Sequence, residues 1–332
     1  MVLENGKIIS LMKFKILPIA GDASFRKFYR LILNKKSRIV VIAKKEKYKN
    51  LIVYSTINKF LKDNKIFTPK LYSHDFSKGI IVIQDFGNLS FHELLMKKKN
   101  KIKIYKKLID LLIKIQKIKP KSKLKNIFGK SYVINKYSNK YLFSESNLFF
   151  DWYLPLFLKK KKILKKKRKS NKILKKLYNK LNFSNSHFVH RDYHVQNLMK
   201  VRNKIGVIDS QDALIGNPAY DLVSLIDDVR IQTSKKLKNQ IYNYYLRKTL
   251  KVYRINSEKL LEDFNILSVQ RSLKIIGIFS RLFKRDNKKK YLKYIPYTWK
   301  LIEMRMNSKI FSGLKEVLDG NISQKHRKKI IT

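Results

Sequence analysis

The chain reads as an α+β protein in two lobes, a small, mainly antiparallel β lobe with one helix followed by a larger, mainly α-helical lobe. Three features carry that reading. Short runs rich in Ile, Val, Phe and Tyr, bounded by turn-prone residues, occupy the first 84 positions. After Gln84-Asp85-Phe86-Gly87 the texture changes to long segments of helical periodicity. Short apolar runs then interrupt the helices between residues 188 and 208.

Taken in order, strands are expected from Phe14 to Leu17, Phe28 to Leu33 and Ile39 to Ala43, the last two flanking an Asn34-Lys35-Lys36-Ser37 turn. A helix from Leu51 to Leu61 sets Leu51, Tyr54, Ile57 and Leu61 on one face. Pro69 and the all-apolar strand Ile80 to Ile83 follow. Ser90-Phe91-His92-Glu93 has the spacing of a capping box, so the hydroxyl and the carboxylate can each satisfy a backbone N–H at a helix start. Helices are expected from Lys101 to Ile118 and Asn147 to Leu181, the second broken or kinked at Pro155, which lacks the N–H that a helix interior needs. Strands are expected at Phe188 to Val189, Leu198 to Val201 and Ile205 to Ile208, with helix again from Leu222 onward. The lobes then divide as 1–84 and 85–332, and no repeat of 20 to 50 residues suggests a solenoid.

With 332 residues, 44% of them hydrophobic, the chain can bury a sizeable core, which argues against disorder. It has no cysteine, which removes disulfides, thiolate metal sites and thiol nucleophiles and is compatible with a reducing cytoplasm. Its N-terminus lacks the small-residue cleavage site of a secretory signal, and its apolar runs fall far short of the roughly 20 residues that span a bilayer. A soluble cytoplasmic chain without a membrane partner is expected; its oligomeric state is not readable from these features.

Against 23 acidic residues stand 77 basic ones, a formal charge of +54 that would suit a phosphate backbone. The lysines, however, are spread along the whole chain, and Lys, Ile, Asn, Tyr and Phe are abundant together while Ala, Gly and Pro are scarce. That is the pattern of A+T-rich codon bias. No specific nucleic-acid partner is expected, and the densest basic run is Lys159 to Lys169.

The informative segment is His190-Arg191-Asp192-Tyr193-His194-Val195-Gln196-Asn197, which fits H-R-D-x-x-x-x-N, followed by Ile208-Asp209-Ser210-Gln211-Asp212-Ala213. In phosphoryl transfer from ATP this spacing lets an Asp accept the acceptor's hydroxyl proton while an Asn on the same loop reaches Mg²⁺. A second Asp then brings the metal to the β- and γ-phosphates. Asp192, Asn197 and Asp209 stand at those places. Each alone could cap a turn or a helix; the full ordered set, with an apolar run before His190 and another before Asp209, is the stronger signal. His190 is read as architectural. His190 and His194 are not read as zinc ligands, since no H-E-x-x-H is present.

Together with Tyr220-Asp221-Leu222-Val223-Ser224-Leu225, these segments resemble the aminoglycoside phosphotransferase superfamily, whose members share a protein-kinase-like fold. Within it, Gly21-Asp22-Ala23-Ser24-Phe25-Arg26-Lys27-Phe28-Tyr29-Arg30, His-Arg-Asp-Tyr-His and Tyr-Asp-Leu-Val-Ser-Leu resemble the bacterial N-acetylmuramate/N-acetylglucosamine anomeric kinases of cell-wall recycling. The resemblance covers Pro18 to Asp228. It implies that Asp192 is the catalytic base, that Asn197 and Asp209 hold Mg²⁺, and that His190 and Asp221 support the loop. It implies also that Gly21, Asp22, Ala23 and Ser24 lie over the phosphates of ATP, and that Ile83, Gln84, Asp85 and Phe86 form the hinge that meets adenine. The first lobe would then be nucleotide-binding and the second catalytic and substrate-binding.

One departure stands out. Protein kinases hold the phosphates with a Lys on the third strand paired to a Glu on the next helix. Here Lys44 and Lys45 come only at the end of Ile39-Val40-Val41-Ile42-Ala43, and Leu51 to Leu61 contains no Glu. Lys44, with Glu46 nearby, is the candidate, and Arg26 and Arg30 are alternatives. Three functions are weighed: an amino-sugar kinase; a kinase of another small alcohol or an aminoglycoside-modifying enzyme; and a nucleic-acid-associated protein that keeps the fold as a scaffold. The complete Asp192, Asn197 and Asp209 set argues against the scaffold. The basic balance suits a neutral or anionic substrate, such as the carboxylate-bearing N-acetylmuramate, better than a polycationic antibiotic.

Overall fold

The computed structural model describes residues 14–19, 26–33, 36–43, 49–253, 256–320 and 322–328. In chain order the elements are β1 Phe14–Ile19, β2 Lys27–Leu33, β3 Lys36–Ile42, α1 Lys49–Asp63, β4 Leu71–Asp75, β5 Ile80–Gln84, α2 Phe91–Lys97 and α3 Ile102–Gln116. Next come β6 Lys123–Lys125, β7 Ser131–Val133, α4 Asn139–Leu148, α5 Lys160–Asn179, β8 His187–Val189, β9 Leu198–Val201, β10 Lys204–Val207 and β11 Leu214–Gly216. The remainder is helical: α6 Ala219–Ile226, α7 Lys235–Tyr253, α8 Ser257–Asp286, α9 Ile295–Arg305, α10 Ser312–Asp319 and α11 Gln324–Lys328.

The chain forms two compact units. One takes the residues up to Leu89 together with Leu124–Tyr132 and Met199–Gln211. Its sheet runs β1-β2-β3-β5-β4, antiparallel throughout. The β2–β3 register pairs Leu33 with Lys36 and Ile32 with Ser37, so Lys36 and Ser37, expected in the turn, belong to β3. Alternation decides which side chains go inward: Ile39, Val41 and Ala43 of the third strand's run and Ile81 and Ile83 of β5 are buried, joined by Leu51 and Tyr54 from α1. Each fully buried aliphatic side chain of this kind contributes about 1.5–3 kcal/mol. Ile57 and Leu61 complete the apolar face of α1 that the sequence marks out. Strand β4 was not anticipated, because its middle residues Tyr72, Ser73 and His74 are exposed and show no apolar alternation.

The second unit takes Ser90–Lys123, Val133–Leu198 and Asp212 onward. Helix α2 opens with the expected capping box: the Glu93 N–H donates to Ser90 Oγ at 3.3 Å and the Ser90 N–H to Glu93 Oε2 at 3.0 Å. The helical segment expected from Asn147 to Leu181 is broken around Pro155, as its missing N–H suggested: α4 ends at Leu148, a π turn at Phe149–Tyr153 and a 3₁₀ turn at Leu154–Leu156 that contains Pro155 follow, and α5 begins at Lys160. Helix α8 is the axis of the unit and packs on α4, the π turn, α6 and α9. Gly277 permits a close approach to the end of α4, since a Cβ there would lie 2.3 Å from the Leu148 carbonyl carbon.

Buried carboxylates tie the helices together. Asp227, just past α6, accepts from Ser268 Oγ at 2.7 Å, from Arg305 Nε and Nη2 at 2.9 and 3.0 Å, and pairs with Lys238 at 3.0 Å. Asp263 of α8 takes the Asn182 and Phe183 backbone N–H groups at 2.7 and 2.9 Å and the Asn217 amide at 2.6 Å. Charges this deep are tolerated only when fully partnered. Among the described residues no helix is long and apolar enough to cross a membrane.

Candidate active site

Strand β8 delivers the chain to His190, which is fully buried. The turn that follows hangs on Asp221, in the first turn of α6: its carboxylate accepts the His190 N–H at 2.7 Å and the Arg191 N–H at 3.0 Å. Arg191 has φ +71°, a left-handed conformation that costs a non-glycine residue about 1–3 kcal/mol and persists only where the surroundings enforce it. The effect is alternation: Tyr193 points inward, donating to the Leu108 carbonyl at 2.8 Å, while the Asp192 side chain stays 35% exposed. The Asp192 carbonyl accepts the His194 N–H at 2.9 Å and the Asn197 amide Nδ2 at 3.0 Å. That second bond fixes the Asn197 side chain and leaves its Oδ1 as its oxygen donor.

The field around Asp192 is cationic. Arg271 Nη2 lies 3.7 Å from Asp192 Oδ1, and its Nη1 donates to the Arg191 carbonyl at 2.9 Å. Glu145 of α4 gathers the neighbouring charges: it pairs with Arg191, takes Lys274 Nζ at 2.9 Å and Gln270 Nε2 at 3.1 Å, and accepts from the Tyr137 hydroxyl. Burial pushes the Glu145 carboxyl up, but Lys274 and Arg191 outweigh it and bring it down to about 2. Desolvation likewise opposes ionisation of Asp192, and Lys274, Arg271, His194 and Arg191 together hold its carboxyl well below the usual carboxylate range. Asp221 goes the other way. Its burial outweighs His190 and the two amide donors, and its carboxyl rises to about 6. His194 is buried and, by desolvation and the nearby Arg230, lowered to about 3, so it is neutral at pH 7.

Within the other unit, Asp209 sits in the turn after β10 with φ +63°. Its Oδ1 accepts from Arg26 Nη2 at 2.8 Å and from Gln211 Nε2 at 3.0 Å. The next residue, Ser210, donates to Asn58 Oδ1 of α1 at 2.7 Å, tying the turn to the helix. Ile83 and Gln84 end β5, paired with Ile39 and Arg38 of β3. The Asp85 carboxylate is taken by Arg30, Nε at 2.5 Å and Nη2 at 3.1 Å, and by the Gly87 N–H at 2.7 Å. Phe86 packs on Phe67 at 4.6 Å between ring centroids and covers Gly206, where a Cβ would lie 2.4 Å from its ring. Gly21, Asp22, Ala23, Ser24 and Lys44 lie outside the described residues.

The loop His190 to Asn197 and its partner Asp221 were marked in the sequence; the ring of charges behind them was not. Glu145, Arg271 and Lys274 lie far from the motif in sequence. A signal was present for two of them: Arg271 and Lys274 are the charged residues in the stretch of α8 from Phe264 to Ser280, which is otherwise uncharged and rich in aliphatic residues. Glu145, between Ser144 and Ser146, carried none.

The phosphotransferase enzyme family model (APH) matches residues 15–255. Among curated relatives, the N-acetylmuramate/N-acetylglucosamine kinase of Neisseria meningitidis serogroup B is 28% identical over 286 residues, 85% of this chain and 83% of that protein. The Pseudomonas aeruginosa protein of the same name is 28% identical over 297 residues, 87% of this chain and 83% of its own. Among solved structures, the ADP-bound aminoglycoside phosphotransferase APH(2'')-Ib matches with a TM-score of 0.59 at 14% identity, covering 89% of this chain and 93% of that one. The choline kinase LicA of Streptococcus pneumoniae gives 0.58 at 14% identity, covering 87% and 93%. At such identity these structures show a shared fold, the two-lobed protein-kinase-like one expected from the motifs.

Proposed function

The chain belongs to the APH phosphotransferase enzyme family, and we propose that it is a cytoplasmic ATP- and Mg²⁺-dependent kinase that phosphorylates the anomeric hydroxyl of N-acetylmuramate or N-acetylglucosamine. The observation that carries the substrate class is the similarity along most of the chain to several proteins named N-acetylmuramate/N-acetylglucosamine kinase, at 26–28% identity. A kinase of another small alcohol is the competing reading.

In this proposal residues up to Gln84 belong to the nucleotide-binding lobe and the rest to the catalytic and substrate-binding lobe, with backbone groups of Ile83 to Phe86 meeting adenine. Asp192 accepts the proton of the attacking hydroxyl. Its low pKa makes it a weak base, sufficient for an anomeric hydroxyl, which is more acidic than other sugar hydroxyls, and for a loose transition state in which little proton transfer is needed early. Asp221 and the buried His190 hold the loop so that Asp192 stays exposed. Asn197 Oδ1 and Asp209 are hard oxygen donors of the kind Mg²⁺ takes, and among the described residues the hydrogen bonds to Asp209 from Arg26 and Gln211 both fall on Oδ1. When bound, MgATP supplies the phosphoryl group and the charge that offsets it.

The test is ADP release from the full chain with N-acetylmuramate, N-acetylglucosamine, choline, homoserine and aminoglycosides at matched concentration, with phosphorus NMR of the product. A sugar 1-phosphate and loss of reducing-end reactivity are expected. A 6-phosphate, or turnover of another alcohol but neither sugar, overturns the assignment.

A further inference from the structure

A kinase-type site needs a fixed cation on the nucleotide's phosphates, ordinarily a strand lysine held by a helix glutamate. Among the described residues neither is at hand, Lys44 and Glu46 lying outside them. Strand β3 carries Ile39, Val40, Val41 and Ile42 where that lysine would stand, and α1 contains no glutamate. Its acid, Asp63, lies at the far end on Lys59 at 2.7 Å. We infer that Arg26 is the phosphate-binding cation of this chain, held in place by Asp209 and Gln211 until a nucleotide's phosphates take it over.

Three observations converge on Arg26. Its side chain is 7% exposed and its guanidinium spans two groups of the Asp209 turn, Nη2 on Asp209 Oδ1 at 2.8 Å and Nη1 on Gln211 Oε1 at 3.0 Å. The Phe28 ring lies 5.7 Å from its Cζ and confines it further. Arg30, on β2, is committed in bidentate fashion to Asp85, whose carboxylate also anchors Gly87, so it braces β2 against the end of β5. Finally, the helix contribution is made by a neutral group: Asn58 of α1 steers the turn through Ser210, leaving the charge of Asp209 to be met by Arg26.

Phosphate and carboxylate oxygens are equivalent acceptors for a guanidinium fork, which stays protonated at any working pH. Arg26 can therefore pass from Asp209 to phosphate without a change in charge state. In the nucleotide-free chain it competes with a divalent cation for Asp209; with nucleotide present it strengthens phosphate binding. Removing it should move these two affinities in opposite directions.

This inference rests on the kinase reading, and the experiment separates the two. In the full chain, Arg26→Met and Arg26→Lys are compared with the parent, using Mn²⁺ alone by electron paramagnetic resonance, and MgADP and adenosine by calorimetry. Arg26→Met should bind MgADP roughly tenfold or more weakly, the loss of a charge-assisted hydrogen bond. It should bind adenosine within twofold of the parent and Mn²⁺ alone more tightly, and Arg26→Lys should recover most of the MgADP affinity. Equal weakening of ADP and adenosine with no gain in Mn²⁺ affinity, the signature of a structural role, overturns the assignment, as does unchanged MgADP affinity. A parent that binds no ADP overturns the kinase reading and this inference with it. If Arg26→Met does not fold, Arg26→Gln carries the same comparison.

Discussion

Asp221 accepts two successive backbone N–H groups, those of His190 and Arg191, from a position 31 and 30 residues further along the chain. One carboxylate thus sets the backbone from which Asp192 projects. Because Asp221 is 1% exposed and its carboxyl is raised from 3.8 to about 6, folding disfavours its ionised form relative to the unfolded chain. The stability it contributes is complete below pH 3.8 and is lost as pH rises through about 6, a change of about 3 kcal/mol. The expected result is that the difference in unfolding free energy between the parent and Asp221→Asn shrinks as pH goes from 4 to 7. A difference that stays flat over that range rules out the titration.

Glu145 is the anionic centre for Arg191 and Lys274, both mostly buried. Glu145→Ala leaves those cations uncompensated and should cost about 3–5 kcal/mol in denaturant unfolding. Lys274→Met in the same background should restore part of that loss. Two penalties that simply add would contradict the coupling.

At Gly277 the geometry leaves no room, a Cβ falling 2.3 Å from the Leu148 backbone. Gly277→Ala, although favourable for helix propensity, should lower stability by about 1–3 kcal/mol by forcing α8 away from the end of α4. Thermal unfolding gives the sign directly, and a stabilised variant would show that the helices separate freely.

For the proposed chemistry, Asp192→Asn keeps the loop's shape and removes the proton acceptor. Turnover should fall roughly 10²- to 10⁴-fold with MgADP affinity nearly unchanged. Rates within threefold of the parent would take Asp192 out of the role.

The sequence was most informative where one face of an element had to be apolar or one backbone group had to be satisfied. Leu51, Tyr54, Ile57 and Leu61 announced α1, and Ser90 with Glu93 announced the start of α2, because periodicity and capping are local. Strand β4 was invisible for the opposite reason: its place in the sheet comes from backbone pairing with β5, and its side chains Tyr72, Ser73 and His74 face solvent. At the site, His190, Asp192, Asn197 and Asp221 were legible because the loop and its brace lie in short ordered segments. Glu145, Arg271 and Lys274 were not, since what unites them is a packing of α4 against α8 that no spacing in the sequence encodes. Arg26 stood in the sequence as one candidate beside Lys44 and Arg30; what distinguishes the two arginines is that one pairs with Asp209 and the other with Asp85.

The Asp227 cluster bears on how the chain is born. Its partners Lys238, Ser268 and Arg305 come from α7, α8 and α9, so the carboxylate lacks its bidentate arginine until residue 305 has left the ribosome. The sheet unit, with only Leu124–Tyr132 and Met199–Gln211 added to its N-terminal residues, is fully synthesised almost a hundred residues earlier. Vectorial synthesis therefore orders the two assemblies: the strands have time to pair while the helices around Asp227 still wait for their last counterion.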